Sequence, residues 1–400
     1  MAIGNERSIV LAVSGETKQA GGLSEIEQLY KNRTRRAKEL QSQGKKVVGY
    51  MCCFPPVEMF TALDLVPFRI MGDPNKPITV ADSYLERIMC PFVRSCFDLA
   101  MKGEYDFLDG LVIPHSCDTV LRIYDIWNYF KPRPFSHYLN VPHMLDSASF
   151  EFFEDELKSM RQALGKFAGA ELTDNRLREA ISLHNEHRGL LRRLYELRKS
   201  DPPLISGTEI VKVVVASMTV PVREANDVLR QVIVEVSARR PDGPQKRPAR
   251  ILVYGTEMDD DSFVRVIEEC GANVVMDDLC IGTKYFWDDV AEEGDPMHGL
   301  ADRYLDKIRC ARTYRQPPGD HASDMQTRFG YLKEFASKWG VNGVILCAMR
   351  FCDTVELDVP DVRDYLTGLG YPVLHLEHDY SSAAIGQLKT RIQAFLEMIG

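Results

Sequence analysis

The chain has 400 residues, with 49 Lys and Arg against 58 Asp and Glu, a net charge of −9. Apolar residues make up 45% and charged residues 27%, the mixture of a globular chain with room for two or three domains. The acidic balance excludes a non-specific nucleic-acid binder, the opening residues carry no secretory signal, and no apolar run reaches the roughly 20 residues of a membrane helix, so a cytoplasmic protein with reduced thiols is expected.

A polar helical stretch over 26–43 ends at Gly44. The apolar run VVGY, 47–50, reads as a buried strand, followed by a helix opened by Pro56 and a second strand over 66–70. A helix over 81–102, a strand over 110–113, a helix over 121–129 and a short strand in PFSHYLNVPH come next. From about 147 to 238 apolar residues recur at helical spacing, with Asp174 placed to cap one of these helices. The Pro-rich, charged segment ARRPDGPQKRPAR, 238–250, reads as a linker. Then β/α alternation resumes: strands in ARILVYGTEM, ANVVMDDLC, NGVILCAM and YPVLHLEHDY, with helices after them. The first of these helices ends at Gly271, a later one at Gly370. Strands alternating with helices predict parallel sheets. The expected organisation is α/β: an N-terminal α/β domain with a helical lead-in over 1–146, a helical segment and linker over 147–250, and a C-terminal α/β domain over 251–400.

The two α/β parts repeat each other. Each places an Asp or Asn, a Gly and an apolar strand before the tetrapeptide C-D-T-V, in DGLVIPHSCDTV and in NGVILCAMRFCDTV. Cys117 and Cys352 head these tetrapeptides. Residues just past the carboxyl ends of parallel strands line the ligand crevice, so two facing domains would aim both thiols at one cleft. Cys90 precedes Pro91 at a helix start, where a thiolate is stabilised. These three are the candidate metal ligands; the opposing reading is three buried thiols in an α/β core. Cys52 and Cys53 follow the first strand and can reach the crevice, while the other five of the ten cysteines read as core thiols. Glu58, in the first turn after strand one, is a candidate general acid or base, or else a solvated helix-start carboxylate. His115 and Arg350 flank the candidate thiols and more simply satisfy ordinary polar contacts. No C-x-x-C, G-x-x-x-x-G-K-[ST], G-x-G-x-x-G or H-E-x-x-H occurs, so thioredoxin chemistry, a phosphate loop, a Rossmann dinucleotide turn and a zincin site are all without a motif.

Four pieces in order carry a resemblance: VVGYMCCFPPVEMFTALDLVPFRI, ERIMCPFVRSCFDLAMKGEYDFLDGLVIPHSCD, MRFCDTVELDVPDVRDYL and YPVLHLEHDYSSAAIGQLKTRIQAFLEM. The chain resembles the 2-hydroxyacyl-CoA dehydratase and benzoyl-CoA reductase family, in its D-component or catalytic subunits. The resemblance implies two flavodoxin-like (Rossmann-like) domains and a [4Fe–4S] cluster on three cysteines that match Cys90, Cys117 and Cys352. It implies a sister subunit in a homo- or heterodimer, an acyl-CoA substrate, and a separate ATP-hydrolysing iron–sulfur activator that delivers single electrons. Two reactions follow from it: dearomatising reduction of an aryl-CoA such as benzoyl-CoA, or ketyl-radical elimination of water from a 2-hydroxyacyl-CoA. The stretch SCDTVLRIYDIWNYF is more similar to reductase subunits, which puts aryl-CoA reduction first. Glu58 matches the family's P-x-E position and gains a proton-transfer role from it. Cys52, Cys53 and Cys96 exceed a three-cysteine need. Related family members carry a double-cubane [8Fe–9S] cluster and reduce small molecules, which is a further alternative, as is a non-catalytic partner subunit.

Overall fold

The computed structural model describes residues 21–240, 248–315, 319–381 and 385–400. Two short helices open it, α1 (Gly22–Lys31) and α2 (Arg35–Ser42), ahead of β1 (Val47–Tyr50), α3 (Val57–Ala62) and β2 (Val66–Arg69). Then come α4 (Pro91–Met101), β3 (Gly110–Pro114), α5 (Asp118–Phe130) and β4 (Phe135–Leu139). Four helices follow: α6 (Ser147–Ala168), α7 (Asp174–Glu196), α8 (Gly207–Ser217) and α9 (Val222–Ser237). The last part runs β5 (Arg250–Gly255), α10 (Ser262–Glu269), β6 (Asn273–Asp278), α11 (Thr283–Phe286), α12 (Pro296–Ala301), α13 (His321–Lys338), β7 (Gly343–Met349), α14 (Asp353–Gly368), β8 (Val373–His378) and α15 (Ile385–Ile399).

The strands form two four-stranded sheets, all parallel, in the orders β2-β1-β3-β4 and β6-β5-β7-β8. The same order appears twice, so the repeat in sequence is a repeat in topology. The fold is α/β, with a helical run between two flavodoxin-like sheets. Parallel strands need crossovers, and their helices cover both faces, which is why β1, β3 and β7 are buried at every residue and read as unbroken apolar runs. One core joins the first sheet to α6, α7 and α12; a second joins it to α4 and α5; a third packs α1, α8 and α9 on the second sheet. Among the described residues no helix is long and apolar enough to cross a membrane.

Several boundaries differ from expectation. The helix expected over 26–43 is two helices, because Asn32 turns its side-chain amide onto the Gln28 carbonyl and competes with the backbone. The helix expected over 81–102 is a single 3₁₀ turn, a loop and α4. Pro91, without an N–H, takes the first helical position and leaves Cys90 extended. The 3₁₀ turn is held instead by Asp98, whose Oδ1 accepts from the amides of Thr79, Val80 and Ala81 at 2.9, 2.6 and 3.0 Å. Thr173, not Asp174, caps α7, accepting from Arg176 N at 3.4 Å; Asp174 is the first helical residue. Positions 241–247 of the expected linker lie outside the described residues.

Candidate functional site

The strand-end segments of the two sheets meet. Arg69, the last residue of β2, is fully buried and ion-paired with Glu257, just past β5. The Gly72 amide donates to Asp259 at 2.7 Å, and the Tyr380 hydroxyl, past β8, donates to the same carboxylate at 2.7 Å.

The three candidate ligands gather at this junction. Each is the residue before a helix: Cys90 before α4, Cys117 before α5, Cys352 before α14. Cys117 and Cys352 follow equivalent strands, β3 and β7, one from each sheet. The Cys90 thiol points across to Met349 at the end of β7, Sγ to Sδ 3.6 Å. Burial pushes the Cys90 thiol up to about 11 and the Cys117 thiol up to about 12, and raises Cys352 well above its ordinary value, helped by the nearby charges of Cys90 and Cys117. Backbone amides of the first helical turns pull the other way: Phe92 and Val93 donate toward Cys90, Thr119 and Val120 toward Cys117, Val355 toward Cys352. One buried and two half-buried thiols with amide donors aimed at their sulfurs are poor acids alone and good ligands to a cation, whose charge replaces the protons. Phe351, just before Cys352, has φ +65°, a left-handed backbone of the kind stored at functional sites.

A second thiol set lies beside the first. Cys52 and Cys53 follow β1, with sulfurs 4.0 Å apart, and Cys52 itself has φ +60°. Cys280, two residues past β6, and Cys310 both lie within electrostatic reach of Cys53. The hydrogen bond from Cys53 holds the Cys52 thiol down to about 7 against burial, and Arg69 assists. Burial pushes Cys280 up and Cys310 up to about 11. Cations line this pocket: Lys284 near Cys280 and Cys310, and Arg312 near Cys310, Cys52, Cys117 and Cys53. Among the described residues no three His, Cys, Asp or Glu side chains are arranged around a single metal ion. An ion with sulfurs at about 2.3 Å demands thiolates roughly 4 Å apart, whereas a cubane takes one thiolate per iron and spreads them wider. The donor set Cys90, Cys117 and Cys352, all sulfur and at three separate helix ends, fits the second case by its chemistry.

The family described as 2-hydroxyglutaryl-CoA dehydratase, D-component, matches residues 52–399. The chain belongs to this family. It is 26% identical to one of the subunits of benzoyl-CoA reductase from Thauera aromatica over 363 residues, covering 89% of this chain and 91% of that one. It is 30% identical over 371 residues to the putative dehydratase subunit YjiM of Escherichia coli strain K12, covering 90% and 93%. The beta subunit of (R)-2-hydroxyglutaryl-CoA dehydratase from Acidaminococcus fermentans is 23% identical over 362 residues, covering 90% and 94%. The D-component family is thus one of enzyme subunits, acyl-CoA reductases and dehydratases among them.

In this D-component chain, Glu58 sits in the first turn of α3 as read, but its carboxylate faces no opening. It is wholly buried, paired with Arg188 of α7 and accepting from the Tyr304 hydroxyl at 2.7 Å. Burial alone would raise its pKa; Arg188, His184 and Tyr304 override burial and bring it down to about 2. A carboxylate held ionised in this way carries no proton to donate at neutral pH. His115 meets Asn140 at 3.3 Å, and Arg350 pairs with Glu377 at 2.7 Å on the surface. Cys96 and Cys347 are core thiols with no exposure.

No residues near Cys280 and Cys310 in the sequence single them out. Cys280 carries a signal all the same, because it follows a strand in the second half much as Cys52 does in the first. Cys310 has no such signal: it reaches the pocket from the irregular stretch after the π-helical turn Asp302–Lys307.

Proposed function

We propose that this chain is an iron–sulfur subunit of an ATP-driven acyl-CoA reductase that removes the aromaticity of an aryl-CoA such as benzoyl-CoA. The observation that carries this reading is the meeting of Cys90, Cys117 and Cys352 at three helix starts, from both sheets. These residues would hold a [4Fe–4S] cluster, which when bound supplies low-potential electrons one at a time. The chain itself directs amide N–H groups at the sulfurs, shields Cys90 from water by burial, and offsets negative charge with Arg312. The aryl substrate is supported by the similarity to a benzoyl-CoA reductase component. The absence of a phosphate-loop motif in the sequence fits ATP hydrolysis by a separate activator, and a sister subunit, identical or related, completes the enzyme.

Anaerobic purification and reconstitution test the reading. We expect about four irons per chain, lost in Cys117→Ser, and turnover of benzoyl-CoA with reduced activator and ATP. A colourless, iron-free chain sinks the cluster. Turnover of a 2-hydroxyacyl-CoA alone makes the chain a dehydratase subunit.

One observation favours a second reading. Cys52, Cys53, Cys280 and Cys310 adjoin the trio, with Cys52 close enough to act on Cys117. Two thiol sets side by side suit a double-cubane [8Fe–9S] cluster and the reduction of small molecules. About eight irons per chain, falling to about four in Cys280→Ser, would select it.

A further inference from the structure

Next to the loop after β2 lies a cavity of about 730 Å³, inside the range of about 300–1,000 Å³ that small-molecule sites occupy. Arg33, Lys38, Lys76 and Arg265 are among its walls, in a chain that is acidic as a whole. These cations are not equivalent. Lys76 is shared between Glu104 at 3.2 Å and Asp73 at 3.6 Å, and Arg265 faces Asp261 at 3.8 Å. Among the described residues, Arg33 and Lys38 have no carboxylate within ion-pair distance. Arg33 is largely desolvated, yet it donates only to the Tyr30 carbonyl at 3.4 Å and to the Met71 thioether at 3.8 Å, a weak acceptor. The Asp259 and Asp260 carboxylates act on it through space, and Asp259 is already occupied by Gly72 N and the Tyr380 hydroxyl. Lys38 is exposed and lies over the Phe107 ring, its ammonium 5.5 Å from the centroid. A half-buried guanidinium fork without an ion-pair partner, in the same cavity as an unpaired ammonium, is a site for a phosphate group.

A second cavity, of about 450 Å³, shares Pro74, Asn75 and Lys76 with the first. Its other walls include Pro91 and Phe351, the neighbours of Cys90 and Cys352. Three residues span about 10 Å at most, so a chain that crosses this loop leads from the basic cavity to the residues next to Cys90 and Cys352. Coenzyme A has that shape: a phosphate-bearing end, a long neutral arm and a reactive thioester. We propose that the 3′-phospho-ADP end of the acyl-CoA docks in the larger cavity on Arg33 and Lys38, with its arm passing over residues 74–76 toward Cys90 and Cys352. This rests on the acyl-CoA reading above.

Calorimetry on the full chain, reconstituted anaerobically and kept at low ionic strength, tests the docking site with CoA, 3′-dephospho-CoA and 3′,5′-ADP as probes. The expected result is that 3′,5′-ADP competes with CoA, and that Lys38→Gln weakens CoA about tenfold while changing 3′-dephospho-CoA much less. Arg33→Lys, which keeps the charge and loses the fork, should weaken both nucleotides. Lys38 is exposed, so its variant folds and decides the matter even if the Arg33 variant does not. If the wild type binds CoA and both folded variants bind it equally well, or 3′,5′-ADP does not compete, the docking site is wrong and the acyl-CoA reading stands. If the wild type binds none of the three, both fall.

Discussion

Glu58 and His184 are buried neighbours, both held unprotonated by opposite balances. Arg188 overrides the burial of Glu58, whereas burial itself takes His184 down to about 3. Both folded values lie below the unfolded ones of about 4.3 and 6.5, so the unfolded chain takes up protons first. Their contributions are therefore complete above about pH 6.5; His184's is lost as pH falls from there toward 3, and Glu58's as pH falls through about 4 toward 2. Urea midpoints measured against pH should drop steadily below 6.5, and His184→Gln, which keeps a partner for the Thr61 hydroxyl now 2.9 Å away, should flatten that slope between pH 6.5 and 4. An unchanged slope would put the proton uptake elsewhere. Glu58→Gln strands the Arg188 guanidinium in the core, and denaturant titration at pH 7 should show a loss of about 3–5 kcal/mol.

At the scale of elements, Gly255 at the end of β5 leaves no room for a side chain against the neighbouring strand. A Cβ there would run into the backbone carbonyl of Cys347 on β7, which cannot step aside as a side chain would. Gly255→Ala should lower stability by about 1–3 kcal/mol in thermal or urea unfolding, and a neutral result would mean that β5 and β7 tolerate separation. Elements of this kind are legible in the chain. Strands covered on both faces print themselves as apolar runs, so 47–50 reads at its observed bounds, and the doubled C-D-T-V places Cys117 and Cys352 past equivalent strands. What is not legible depends on distant partners. Nothing local to Glu58 announces Arg188 or Tyr304, and nothing near residue 310 announces Cys52. The stretch from 281 to 308, with its short helices and π-helical turn, lacks a sustained period from which elements could be assigned.

Across the whole molecule, the two sheets are tied by buried charge as well as apolar contact. Arg69 also donates to the Cys52 carbonyl, so one guanidinium links β2, the end of β1 and the segment after β5. Arg69→Met leaves Glu257 unpaired and should cost about 3–5 kcal/mol in urea unfolding, and adding Glu257→Gln should recover most of it, since a buried pair replaced together is close to neutral. Equal costs for the single and double variants would locate the loss in packing rather than in the stranded charge.

The three thiols at the helix starts are far apart along the chain, at 90, 117 and 352, and only the closing of one half on the other brings them together. A nascent chain that has not yet reached β7 carries Cys90 and Cys117 but lacks the third member of the trio. On the proposed reading, iron and sulfide can be taken up only after the second sheet has formed, in competition with any oxidant that meets the early thiols first.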